Sequence, residues 1–451
     1  MHVAPRARPA SNGMKWTPFQ MVILGVFIVA IMGGVAVFAL FGGLSGGKSV
    51  GQVTIWGTVD RSIMESVLSD LIQEDDAFQT VDYEEKDPKT YNAELIEALA
   101  SNKAPELFML AESDILSFQD KISVIPYSEI SEREFRDTFV NESDLFLSPG
   151  GIVGMPYMID PLVMYYNRDL FAGAGIATYP RTWADVQAVV PKMTTLDTKS
   201  DVRRSAVALG TFDNISHAKE ILSALLMQVG DPISKVTEDG QLESTLGNTV
   251  QGAVENPAES ALRFYTSFSN PTQSVYSWNR ALPDSFNVFA AGDLGVYFGL
   301  ASEYAQLVAR NPNLAFDVSV LPQTESSRTS ITYGRMVALA IPQNAKNYYG
   351  ASLIAQKMTS NSGIASISSR TGLPPVRRDL LSALDAQDSI EQTVFAESAL
   401  ISRSWFDPNP QATRVLFKTM IDSVVSGRAR LGEAVSEASA ELSALFARFN
   451  Q

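Results

Sequence analysis

The chain contains no cysteine. That excludes disulfides, thiolate metal sites, thiol nucleophiles and any anchor carried on a lipidated cysteine. Histidine is almost missing too. With only His2 and His217 in 451 residues, a histidine-rich metal centre has no ligands to draw on. No acid occurs before Asp60, and residues 19–41 carry no charge at all. The net charge of −15 leaves no basic excess for a phosphate backbone, which argues against nucleic acid as a partner.

What is present begins with the uncharged stretch. At about 1.5 Å per residue, residues 19–41 reach roughly 35 Å, enough to span a bilayer core with some tilt. Arg6, Arg8 and Lys15 precede it, so the amino terminus is expected in the cytoplasm and the bulk outside. A cleaved signal peptide is the competing reading; its apolar region is usually shorter and no clean small-x-small site follows. Gly42 to Ser49 matches the phosphate-binding loop pattern letter for letter. However, an apolar span precedes it and a strand-like run follows, the wrong order for that chemistry. A flexible Gly/Ser tether is the simpler reading.

A hydrophobic content of 45% over this length supports two domains with real cores. Val53–Trp56, Val81–Tyr83 and Pro105–Leu110 read as strands, separated by helices near 62–73 and 91–101, the latter with Leu95, Ile96 and Leu99 on one face. Strands alternating with helices indicate parallel βαβ construction, with ligands beyond the carboxyl ends of the strands. Leu162 to Tyr166 is a short apolar run expected as a buried strand. Asn167 can cap a helix that Gly175 ends, and Thr182 can cap another at Trp183. Further helices are expected at 218–229, 258–269, 349–359, 411–426 and 430–449. Strands are expected near 207–210, 294–298, 316–321 and 336–341, and residues 231–258 read as an exposed excursion.

One block carries more than local structure. Gly151/Pro156, Tyr166-Asn167, Asp169-Leu170-Phe171, Ala174-Gly175 and Pro180-Arg181-Thr182-Trp183 occur in one order. This resembles the signature of bacterial family 1 extracellular solute-binding proteins, the maltose-binding-protein type. Weaker likeness continues at 286–342 and 370–376. The resemblance implies an α/β, two-lobed periplasmic-binding-protein-like fold with a cleft between lobes, preceded here by one N-terminal transmembrane helix. The expected organisation is a basic arm (1–18), an anchor (19–41) and a linker (42–51). Lobe 1 then covers 52–160 and 318–362, and lobe 2 covers 161–317 and 363–451. Crossovers are expected near 159–163, 317–320 and 360–368.

The resemblance also implies a site. The loop after the first strand places Asp60 and Arg61, with Trp56 at its base, toward a sugar. The loop after the third strand offers Glu112 and Asp114 but lacks the aromatic that the family has there. Asp160 matches the crossover acid, and Tyr333 and Arg335 look toward the cleft. Trp278, Phe298, Tyr304 and the late Trp405 are the candidates for stacking on a sugar face. Each acid can equally be a helix cap or solvated carboxylate, and each aromatic can equally be core. The implied function is capture of a small polar solute, a sugar first, and its delivery to ABC permease subunits by a monomer without cofactor or metal. Arg61, Arg280 and Arg335 are few for an anionic ligand. A sensor or scaffold using the same cleft is the main rival. A glycoside hydrolase built on Asp60 and Asp160 is the weaker one.

Overall fold

The computed structural model describes residues 50–249, 256–325, 329–383 and 389–450. The expected basic arm, apolar span and Gly/Ser tether lie outside these residues. Among the described residues no helix is long and apolar enough to cross a membrane.

The first lobe begins with β1 (Val53–Gly57), α1 (Arg61–Glu74), β2 (Val81–Glu85), α2 (Tyr91–Ala100) and β3 (Leu107–Ala111). Both β2 and β3 run parallel to β1, as the alternation of strands and helices requires. Asp60 caps α1 through the Ser62 amide, and Met64, Val67, Leu68 and Leu71 form its buried stripe, spaced for one helical face. In α2 the buried face is Tyr91, Leu95 and Ala98. Ile96 is 45% exposed, so the face expected from Leu95, Ile96 and Leu99 is rotated toward Tyr91, whose hydroxyl donates to Met109 O at 2.8 Å.

The chain then enters β4, the 13-residue strand Met155–Asn167. The remaining main strands are β5 (Val202–Val207), β6 (Leu294–Leu300), β7 (Phe316–Val320) and β8 (Thr332–Pro342). The first half of β4 pairs antiparallel with β8, from Met155↔Leu339 to Pro161↔Gly334, and β8 pairs antiparallel with β3. Its second half lies between β6 and β7, antiparallel to both; β6 in turn runs parallel to β5. A single sheet therefore runs through both lobes, and β4 belongs to each.

Four helices pack around the second lobe: α3 (Trp183–Met193), α4 (Ala218–Gln228) and, after the last crossing, α8 (Pro410–Val425) and α9 (Leu431–Phe449). The stretch expected as an exposed excursion contains an antiparallel hairpin, Ser234–Val236 with Leu242–Ser244. Asp231 ties it down, accepting from Ile233 N, Thr245 Oγ1 and Gly247 N. Between β8 and these last helices come α5 (Tyr348–Met358), α6 (Asn361–Thr371) and α7 (Ile390–Ile401). The expected crossing at 360–368 and return to lobe 2 at 363 differ from what is seen. α6 packs on α1, where Arg370 pairs with Asp70 and Ser366 Oγ donates to Asp70 at 3.1 Å. Val140 N donates to Val376 O, which keeps the chain with the first lobe still later. α7 is the element that packs across β4 and β7. An amphipathic helix shows which residues are buried, not which lobe buries them.

Gln228, 4% exposed, fastens the second lobe to the return crossover. Its Oε1 accepts from Trp183 Nε1 at 2.6 Å. Its Nε2 donates to Pro322 O at 3.1 Å and Ile331 O at 2.7 Å. Gln228→Leu should leave Trp183 Nε1 and Pro322 O buried and unpaired and destabilise the protein by about 3 kcal/mol, read as a lowered urea midpoint.

Candidate functional site

The carboxyl ends of β1 and β3 bring two loops to one rim of the first lobe. On the first, Asp60 is exposed, and its Oδ1 accepts from Ser62 N at 2.8 Å. The Ser62 side-chain and backbone hydrogen bonds hold its carboxyl below the usual range. Arg61 turns away to Glu65 at 2.6 Å. Trp56 is half-buried, with Lys86 Nζ 3.7 Å above its ring, so one ring face is already occupied by a cation of its own lobe.

On the second loop, Asp114 accepts from Asn92 Nδ2 at 3.0 Å. Burial pushes its carboxyl up, and the other charges acting on it are Asp407 and Lys219 of the second lobe. Asp114 therefore faces the opposite wall. Lys219 is bound to Asp407 and to Thr413 Oγ1, so it is not a free cation.

The remaining acids meet at the junction of the lobes. Glu112 is 4% exposed and accepts from Met336 N at 3.1 Å and from Tyr333 Oη at 3.2 Å. Burial raises its carboxyl to about 7, against the pull of Arg335. Glu112 and Tyr333 are thus a strut between β3 and β8. Asp160 stands opposite Arg335 in the β4–β8 register and accepts from Ser302 N at 3.0 Å; burial pushes its carboxyl up. Arg335, on β8, reaches across to Glu220 in the first turn of α4, with His217 Nδ1 at 3.4 Å. His217 Nε2 lies 2.8 Å from Glu303 Oε1, and Glu303 Oε2 accepts from Tyr297 Oη at 2.8 Å and Leu300 N at 3.1 Å. Burial works against the Glu220 carboxylate, but Arg335 and His217 outweigh it and leave the group at about 2.

The expected stacking aromatics are placed differently. Trp278 is 0% and Phe298 1% exposed; neither reaches the cleft. Phe298 packs on Trp183 with ring centroids 5.3 Å apart, inside a strand whose seven residues are all buried. Large rings fill the core of the second lobe because a strand covered on both faces has no outward side. Tyr304 packs on Phe316 and Phe395. Trp405, 3% exposed, lies on Phe417 at 6.1 Å and 17°. It sits under Lys219 and faces a cavity of about 500 Å³ walled by Leu145 and Phe406. A larger cavity of about 1000 Å³ opens on the second lobe between Gln187, Phe264 and Gly427, away from the rim that carries Asp60 and Asp114. Among the described residues no group of three or more acids or histidines could hold a metal.

Reading the sequence missed Lys219, Glu220, Glu303 and Asp407, and took His217 as structural. The available signal was positional. Glu220 and Glu303 sit in the first turns of helices, where acids are ordinary capping residues.

The sequence model of the bacterial extracellular solute-binding proteins matches residues 73–392. The chain belongs to that family. This solute-binding protein is 25% identical over 281 residues to binding proteins of Brucella abortus and Brucella suis, an overlap of 61% of this chain. It spans 63% of the length of those relatives. In fold it is similar to a solute-binding protein of an ABC transporter from Thermotoga lettingae, bound with α-D-tagatose. That match has a TM-score of 0.64 at 20% identity, covering 88% of this chain and 100% of the other. It is likewise similar to the cyclic α-maltosyl-1,6-maltose-binding protein of Arthrobacter globiformis, with a TM-score of 0.70 at 14% identity and coverage of 88% and 99%. A substrate-binding protein of Listeria monocytogenes in complex with cycloalternan gives 0.64 at 16%, covering 87% and 97%. At these identities the likeness establishes the two-lobed fold.

The ion pair that ties the lobes gives a signed pH test. Glu220 is lowered, so its contribution is complete above about 4.5 and disappears as the pH falls toward 2. Arg335→Gln should cost about 2 kcal/mol at about pH 5, where Glu220 is already ionised, allowing for solvent around the half-exposed guanidinium. The cost should shrink toward zero in strong acid. Urea unfolding of both proteins across that range measures it.

Proposed function

We propose that this protein captures a small polar solute, a sugar or oligosaccharide, between its lobes and presents it to the permease of an ABC importer. The observation that carries the reading is the state of the cleft charges. Asp60, Asp114 and Asp160 are carboxylates on or beside the first-lobe wall, each with acceptor capacity beyond the donors described above. The cations beside these carboxylates are committed: Arg335 to Glu220, Lys219 to Asp407, Arg61 to Glu65; Arg403, without an ion pair among the described residues, lines the separate cavity at Trp405. Sugar hydroxyls are donors that carboxylates can accept from. An anionic solute held at these carboxylates would have to break existing ion pairs to find a counter-charge. The family is one of binding proteins, and several fold neighbours hold saccharides, which supports capture rather than turnover.

The rest of the reading comes from the sequence. Residues 19–41 would tether the binding lobes outside the membrane through the Gly/Ser stretch. Closure around the solute would be a hinge motion about the strands shared by the lobes, and the importer's own ATPase would drive transport.

A thermal-shift screen against sugars, oligosaccharides, polyamines and phosphate esters tests the ligand class. A ligand specific for the folded form at a hundred times its Kd adds about 2.7 kcal/mol of stability. A saccharide should raise the melting temperature, and phosphate esters should not. Asp114→Ala and Asp160→Asn should each weaken the hit about tenfold or more by calorimetry, with the fold retained. A phosphate ester as the best hit would overturn the charge argument.

A further inference from the structure

Glu142 is the one carboxyl among the described residues that is buried with both oxygens lacking a hydrogen-bond partner. It is 1% exposed and sits in the short turn Asn141–Phe146 of the first lobe. Its carboxyl presses on Gly334 of β8. A Cβ built on Gly334 would collide with Glu142 Oε2 and would meet Ser402 Oγ at 2.8 Å. Ser402 and Arg403 form the short strand that pairs with Thr332 and Tyr333, just where the chain returns to the second lobe. The residues flanking Gly334 are Tyr333, which holds Glu112, and Arg335, which holds Glu220 of the second lobe. A shift of Gly334 is therefore felt at the pair that ties the lobes.

The surrounding charges are unequal. Glu112 acts on Glu142 from β3 and repels it; Arg403 attracts it but makes no ion pair among the described residues and donates to the Ser402 carbonyl. Tyr333 faces it from β8 with a neutral hydroxyl. On its own turn, Asp144 is taken by Arg136, and Asn141 accepts from Arg378. β4 contributes Asp160, which accepts from Ser302 N. A carboxylate in this position has lost its water and gained no donor, a cost of several kcal/mol in its ionised form.

We propose that Glu142 is an acid-operated latch of the hinge. Protonated, it lets Gly334 and Ser402 close over it and holds the lobes in the arrangement described here. Ionised, it moves out toward Arg403, the Thr332–Arg335 segment shifts, and the Arg335–Glu220 tie between the lobes loosens. Burial, and then Glu112, raise the Glu142 carboxyl well above its ordinary value near 4.5. The neutral form therefore supports this arrangement in acid, and that support is lost as the pH climbs through the raised value. Glu112 titrates near 7 in the same direction, so the test must separate the two.

The lack of native cysteine allows clean double labelling. Dyes on Lys89→Cys and Asp239→Cys, both exposed and on opposite lobes, report the distance between lobes by energy transfer, with no ligand added. The wild-type background should titrate as the pH rises above the ordinary carboxylate range, the ratio of the two arrangements changing up to about tenfold per pH unit. Glu142→Gln should abolish that change, and Glu112→Gln should retain most of it. Arg403→Gln, which leaves Glu142 in place, should move the midpoint to higher pH because the attracting cation is gone. A flat wild-type profile, a titration unaltered by Glu142→Gln, or one removed by Glu112→Gln alone would overturn the latch.

Discussion

The structure depends on one strand being a member of two domains. β4 pairs with β8 over its first half and with β6 and β7 over its second. Neither lobe can complete its sheet without it. Pro161 sits where the strand changes partners. It has no amide to leave unpaired at a break in the ladder, while its carbonyl accepts from Ala301 N at 2.9 Å. Thr332 Oγ1 closes the same point by donating to Leu162 O at 2.6 Å. A shared strand fixes how the lobes are joined but leaves torsional freedom at the partner change, which is what a hinge requires.

Charge is arranged around that joint with little left over. Arg335, His217 and Lys219 are each matched to an acid. Glu112 receives the Tyr333 hydroxyl and the Met336 amide, and Asp160 receives the Ser302 amide. Buried charges survive folding only when paired or hydrogen-bonded, so the lobes meet through a satisfied network. Glu142 departs from that rule, at the strand where the lobes turn. The same neutralisation shapes the ligand argument, since a wall whose Arg61, Lys219 and Arg335 are committed has carboxylate acceptors to offer and few free donors of positive charge.

Much of this was legible in the sequence. The strand–helix alternation of residues 53–111 and the Asn167 and Thr182 caps follow from spacing and turn chemistry, the crossing of β4 was implied by the family resemblance, and the structure has them all. The aromatics were not legible. Trp278, Phe298 and Trp405 carry rings as fit for a core as for a sugar, and the structure buries all three. The residues that join the lobes were equally hidden. Arg335 and Glu220 are 115 positions apart, and nothing local marks them as partners.

The sequence by itself determined the parallel construction, which rests on hydrophobic period, caps and turn residues acting over short distances, and its resemblance to a known family implied the strand common to both lobes. Only the tertiary structure decided which acids line the rim, which are spent holding the lobes together, and which lobe receives α6. Those outcomes depend on which surfaces meet after folding. Burial can take Glu112 up to about 7 while an arginine from the other lobe takes Glu220 down to about 2, although both are glutamates beside a helical turn.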